Sequence, residues 1–108
     1  MQIAENREGA TTIASLEGRL DTATAPATEE KLLSLLDAGP LVADMTGVRY
    51  VSSAGLRVLL KAAKQARTKG VGFSVCGLQP AVREVFEISG FDKIIPLHAT
   101  RADALAAG

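Results

Sequence analysis

One cysteine, one histidine, no tryptophan and no net charge leave this sequence of 108 residues short of several kinds of chemistry at once. A single cysteine, Cys76, excludes an internal disulfide, and a single histidine, His98, excludes a His-pair metal site. The aromatic residues Tyr50, Phe73, Phe86 and Phe91 are few and scattered, so no stacking platform for single-stranded nucleic acid exists. Twelve Lys and Arg balance twelve Asp and Glu. A domain that lives on phosphates or on an anionic membrane carries a basic excess instead, which argues against both as partners. No apolar run approaches the roughly 18 residues that would span a bilayer. The opening MQIAENREG lacks the basic and apolar regions of a signal peptide, and a cytoplasmic location is predicted. No glycine-rich phosphate loop of the G-x-x-x-x-G-K-S/T kind occurs, so ATP hydrolysis by this chain is not expected. Neither a cofactor nor a catalytic group is predicted.

What is present is enough apolar residue for one core. A chain of this length buries between about 60% and 70% of its unfolded surface, which leaves room for a single domain over residues 1–108. Ala contributes 18 of the apolar residues and Leu, Val, Ile, Phe and Met together 31, so the core is thin and aliphatic.

Residues 2–6 and 11–17 predict two strands around a Gly-bearing turn. Pro26 early, Leu32, Leu33, Leu35 and Leu36 behind an acidic pair, and Gly39 late predict a core-facing helix. The run LVADM at 41–45 predicts a buried strand, followed by a turn at TGVRY. From Ser53 to Lys69, Leu56, Leu59, Leu60, Ala63 and Ala66 recur at helical spacing, and Gly70 ends the helix. VGFSVCG predicts a strand, PAVREVFEIS a helix and KIIPL a short strand. Thr100 with Asp103 has the form of a capping box before an Ala-rich terminal helix. The order ββαβαβαβα predicts an α/β fold, a mixed and mostly parallel sheet of four to five strands with about four helices.

The neutrality is only global. Residues 1–44 carry 8 acids and 3 bases, residues 45–83 carry 7 bases and no acid, and residues 84–108 carry 4 acids and 2 bases. The basic block follows directly on Asp44 and contains most of DMTGVRYVSSAGLRVLL, in which a helix opens on Ser52 and Ser53. One reading of these hydroxyls is an N-cap, worth roughly 1 kcal/mol. The other is a phosphate acceptor, because a helix start with free N–H groups favours negative charge. At about 100° per residue Ser53, Arg57, Lys61 and Lys64 share one sector of about 80°, so the hydroxyl and a basic stripe are predicted on one solvent face. Cys76 is read as a buried structural thiol, and a Cys76–His98 nucleophilic pair is not expected.

The same run, with GRLD upstream and ISGFDKI and the final helix downstream, resembles the STAS domain over essentially the whole chain, in particular the single-domain anti-sigma factor antagonists. The family pattern is D-(L/M/F)-(S/T)-x-(V/L)-x-(F/Y)-(I/M/V)-D-(S/T)-(S/T)-G-L. The resemblance implies the STAS fold and a non-enzymatic switch. Its partner would be an anti-sigma factor that is also a serine kinase of the GHKL type, which phosphorylates the hydroxyl two residues before the motif glycine, here Ser53. Phosphorylation would abolish binding, and a PP2C-like phosphatase would restore it. By the same resemblance Asp44 sits near this serine and Asp21 lies at the rim of the surface. Asp21, Asp44, Ser52, Ser53, Ala54, Gly55, Arg57 and Lys61 form the expected partner-binding set. Leu56 points inward.

Two positions depart from the pattern: Ser52 replaces the usual aspartate and Ala54 the second hydroxyl. Two adjacent serines therefore remain candidates, Ser53 first by register with Gly55 and Ser52 second. The resemblance also allows a STAS scaffold or accessory subunit of a lipid or anion transport assembly, with Ser53 only a helix cap, or a nucleotide-sensing module.

Overall fold

Along the strand Thr11–Leu20 (β2), Ala14 and Leu16 point to one side and Ile13 to the other, and all are buried. A strand buried on both sides needs cover on both faces of its sheet. The computed structural model describes residues 1–107 and supplies that cover unequally. β2 pairs antiparallel with β1 (Gln2–Glu8), and the sheet continues in parallel through β3 (Leu41–Val51), β4 (Phe73–Cys76) and β5 (Leu97–His98), in the order β1-β2-β3-β4-β5. Each parallel step needs a crossover, and steps that all move the same way with the usual right hand place their helices on one face. These are α1 (Ala25–Leu36), α2 (Ser53–Lys69) and α3 (Pro80–Ser89). Leu32 and Leu36, Leu59 and Ala62, and Val82 and Phe86 carry them into one cluster with Ala14, Leu16, Ala43, Met45 and Val75. Among the described residues the opposite face has only α4 (Arg101–Ala107), whose Ala104 packs on Ile13, Val42 and Cys76.

The helix limits follow local signals. Gly70 ends α2 in the left-handed region at φ 71°, and its N–H reaches the carbonyls of Ala66 and Arg67. Pro80 opens α3 and Gly90, at φ 77°, closes it. Thr100 Oγ1 accepts the Asp103 amide at 3.1 Å, the expected cap of α4.

Three expectations are corrected. TGVRY is not a turn: β3 runs on to Val51 because β2 is long enough to pair with it, through register shifts between Ser15 and Glu17 and between Gly18 and Arg19. A Cβ on Gly47 would lie 2.6 Å from Glu17 Cγ and 3.1 Å from the Leu16 carbonyl, so this glycine serves a close strand approach rather than a reversal. KIIPL is not a strand over its length. Phe91–Lys93 forms a 3-10 turn, Ile95 is buried, and only Leu97 and His98 pair with β4. Finally, the buried side of α2 includes Val58 and Ala62, whereas Leu60 and Ala63 are half-buried, as is Leu33 on α1.

Candidate functional site

The start of α2 is built on the ends of β2 and β3. Ser52 is extended, at φ −86° and ψ 174°, and its Oγ accepts the Gly55 amide at 3.3 Å. Its own N–H donates to the Leu20 carbonyl at 2.9 Å. Gly55 is buried against the same carbonyl: a Cβ there would meet Leu20 O and Leu20 Cγ at 2.7 Å and Val51 Cγ1 at 3.1 Å. Leu56 is buried and Ala54 is half-buried on the core. Ser53, first residue of the helix, is exposed, and among the described residues its hydroxyl has no hydrogen-bond partner. The two serines therefore divide the work: Ser52 caps and Ser53 is left free.

Asp21 follows Leu20 directly and so lies beside this helix start. Its Oδ1 accepts the amides of Ala23 and Thr24, each at 3.1 Å, and the Thr24 hydroxyl donates to the Arg19 carbonyl at 2.8 Å. The Thr24 amide, with smaller help from its hydroxyl, the Ala23 amide and Arg19, holds the carboxyl below the usual carboxylate range against partial desolvation. Arg19 also lies over the exposed Tyr50 ring, 4.3 Å from its centroid. That pair borders the site, yet nothing in the spacing of the sequence singled it out. The register partner of Arg19 across a bulge is visible only in the sheet.

Asp44 does not join this group. It pairs in register with Ser15, whereas the helix start hangs from Leu20 and Val51, a separation on β2 on the order of 15 Å at about 3.3 Å per residue. Its Oδ2 accepts Arg101 Nη2 at 2.8 Å and Nε at 3.3 Å, and its Oδ1 accepts the Thr46 hydroxyl at 2.7 Å. Arg101 Nη2 also donates to Ser15 Oγ at 2.9 Å. The carboxylate is thus spent on tying α4 to the open face of the sheet. Burial pushes its pKa up, but the Thr46 hydroxyl and amide and the Arg101 guanidinium outweigh that and leave it lowered. A carboxylate with a lowered folded-state pKa stabilises above the ordinary range and loses that contribution as pH falls through the folded value. Asp44→Asn is expected to cost about 1.5–3 kcal/mol at pH 7 and to flatten the acid limb of stability. Thermal midpoints from pH 7 to pH 2 check this; parallel curves for variant and wild type would refute it.

On the solvent side of α2, Ser53, Arg57, Lys61 and Lys64 are all exposed, as expected. Lys61 is not free, because its Nζ lies 3.2 Å from Glu29 Oε2 on α1. Lys69 is likewise held by Asp37. Arg57 has no acidic partner among the described residues.

A profile of the STAS domain matches residues 2–104. The chain belongs to the STAS domain family. BtrV of Bordetella bronchiseptica, whose name is that of an anti-sigma factor antagonist, is 45% identical over 97 residues, 88% of this chain and 84% of BtrV. The crystal structure of an anti-sigma factor antagonist from Mycobacterium paratuberculosis superposes with a TM-score of 0.86 at 32% identity, covering 98% of this chain and 92% of the other. SpoIIAA in its unphosphorylated form shares the fold, with a TM-score of 0.80 at 18% identity over 96% of this chain and 93% of SpoIIAA.

In this STAS domain the motif glycine and leucine have a plain physical role: Gly55 lets α2 approach β2, and Leu56 fills the core beside it. Cys76 is buried, and burial, with the nearby Asp44 charge, pushes its thiol up to about 11, so it is protonated at neutral pH. The sheet does make Cys76 and His98 register partners, a juxtaposition the sequence offered no reason to expect. A buried protonated thiol is nevertheless no nucleophile. No group of three metal-ligating side chains occurs among the described residues, and no described helix is long and apolar enough to cross a membrane.

Proposed function

We propose that this chain is an anti-sigma factor antagonist working as a phosphorylation-controlled binding switch, not an enzyme, in the cytoplasm. The observation that carries this reading is the free, exposed Ser53 hydroxyl beside a serine that already caps the helix. Unmodified, the protein binds an anti-sigma factor that is also a GHKL-type serine kinase, and the factor held by that kinase is released. The kinase moves the γ-phosphoryl of ATP to Ser53 Oγ: the bond to ADP breaks, the ester forms, and the hydroxyl proton leaves to a base on the kinase. The added charge, about −1.5 to −2, disrupts the contact. A PP2C-like phosphatase hydrolyses the ester and resets the switch. Asp21, Ala54, Gly55, Arg57 and Lys61 surround or support this contact, and Asp44 acts on it only through the fold.

Ser52 Oγ accepts the Gly55 amide, which supports a role for Ser53 other than capping the helix. Incubation with the candidate kinase and ATP, followed by mass spectrometry, is expected to find one phosphate in wild type and in Ser52→Ala and none in Ser53→Ala. Undiminished phosphate in Ser53→Ala would move the site, and none in wild type would remove the switch.

A further inference from the structure

The ion pairs redraw the basic face of α2. Lys61 and Lys69 lie on the flank toward α1, where Glu29 and Asp37 neutralise them. Three exposed cations of α2 have no acidic partner among the described residues: Arg57, Lys64 and Arg67. At about 100° per residue they fall within about 40° either side of the Ser53 azimuth. The uncompensated charge therefore runs along the side of α2 that Ser53 opens. The charged residues beside Ser53 from the neighbouring strand end, Arg19 and Asp21, are paired with each other at 3.6 Å.

Distance then separates the three cations. At about 1.5 Å per residue Arg57 stands about 6 Å along the helix from Ser53, Lys64 about 16 Å and Arg67 about 21 Å. The screening length at physiological salt is about 8 Å. A phosphate on Ser53 reaches Arg57, its neighbour at i+4, and leaves the other two unaffected. Resting on the Ser53 reading above, we propose that Arg57 is both the cation that docks a carboxylate-bearing surface of the partner and the built-in counter-ion of the phosphate, so that modification withdraws it from the partner. Lys64 and Arg67 attract the same acidic surface in both states and set the encounter rate. Phosphorylation thus acts by removing an attraction as well as by adding a repulsion.

Two measurements test this. In the first, phosphoserine is installed at position 53 during translation, and its phosphorus NMR signal is titrated without any partner. An unperturbed phosphoserine has a second pKa of about 6. The wild-type value is expected to lie roughly half a pH unit below that of Arg57→Gln in low salt, with the gap closing in high salt and with Lys64→Gln matching wild type. Equal values in wild type and Arg57→Gln, or an equal shift from Lys64→Gln, would overturn the counter-ion role. In the second, the kinase that labels Ser53 is titrated with unphosphorylated protein. Arg57→Gln is expected to weaken binding about tenfold and to reduce the further effect of phosphorylation by a similar factor. The double variant Lys64→Gln/Arg67→Gln is expected to slow association and lessen its salt dependence in both states. Wild-type affinity in Arg57→Gln would overturn the docking role. Because the phosphoserine is installed genetically, absence of enzymatic labelling defeats the switch while the titration still decides Arg57.

Discussion

Ser53→Asp is expected to weaken binding of the serine kinase by about a hundredfold, or about 2.7 kcal/mol, while the thermal midpoint stays within about 2 °C of wild type. The two readouts separate because Ser53 is exposed and makes no hydrogen bond that the fold needs. A carboxylate at the first helical residue also faces the positive end of the helix, which offsets any small loss of packing. Ser52→Ala is the mirror case. It removes the bond to the Gly55 amide and is expected to cost about 1 kcal/mol of stability with little change in kinase binding. Isothermal titration with the kinase and a melting curve for each variant decide the matter. A Ser53→Asp protein that binds at wild-type strength, or one that melts far below wild type, would show that Ser53 is not a free switch residue.

The second large effect concerns the fold beneath that residue. Gly55→Ala is expected to destabilise by about 3 kcal/mol and to lower the midpoint by about 15 °C, at the upper end of overpacking costs. An exposed helical glycine changed to alanine ordinarily gains up to about 1 kcal/mol, so the expected sign is the reverse of the propensity rule. The reason is the backbone oxygen of Leu20, which a Cβ on Gly55 would approach to 2.7 Å. That carbonyl is held by the Ser52 amide and cannot turn aside. Gly72→Ala is the control: nothing lies within 4 Å of a Cβ there. Equal midpoints for the two variants would show that α2 does not need the close approach.

Much of the architecture was legible along the chain. The order of strands and helices, the span of α2 from Ser53 to Lys69, and the glycine stops at Gly70 and Gly90 all follow from signals within a turn or two of one another. The extent of β3 was not legible. Gly47 has the look of a turn residue, and only the length of β2 opposite it shows that the glycine serves a bulge. The core stripe of α2 was displaced for a similar reason. Periodicity points to Leu60 and Ala63, but α1 packs along the other flank and buries Val58 and Ala62 instead.

The site divides in the same way. By itself the sequence determined that a helix opens on two serines ahead of a glycine and a leucine, within a segment carrying bases and no acids, because capping, helical period and local charge depend on near neighbours. Only the tertiary structure decided which serine caps, where the Asp44 carboxylate is spent, and which lysines keep their charge. Those outcomes rest on contacts between residues far apart in the chain: Ser52 with Leu20, Asp44 with Arg101, Lys61 with Glu29. Such pairs are made by the packing of whole elements, and that packing is set by burial of the core, which no local pattern of charge or hydroxyl groups encodes.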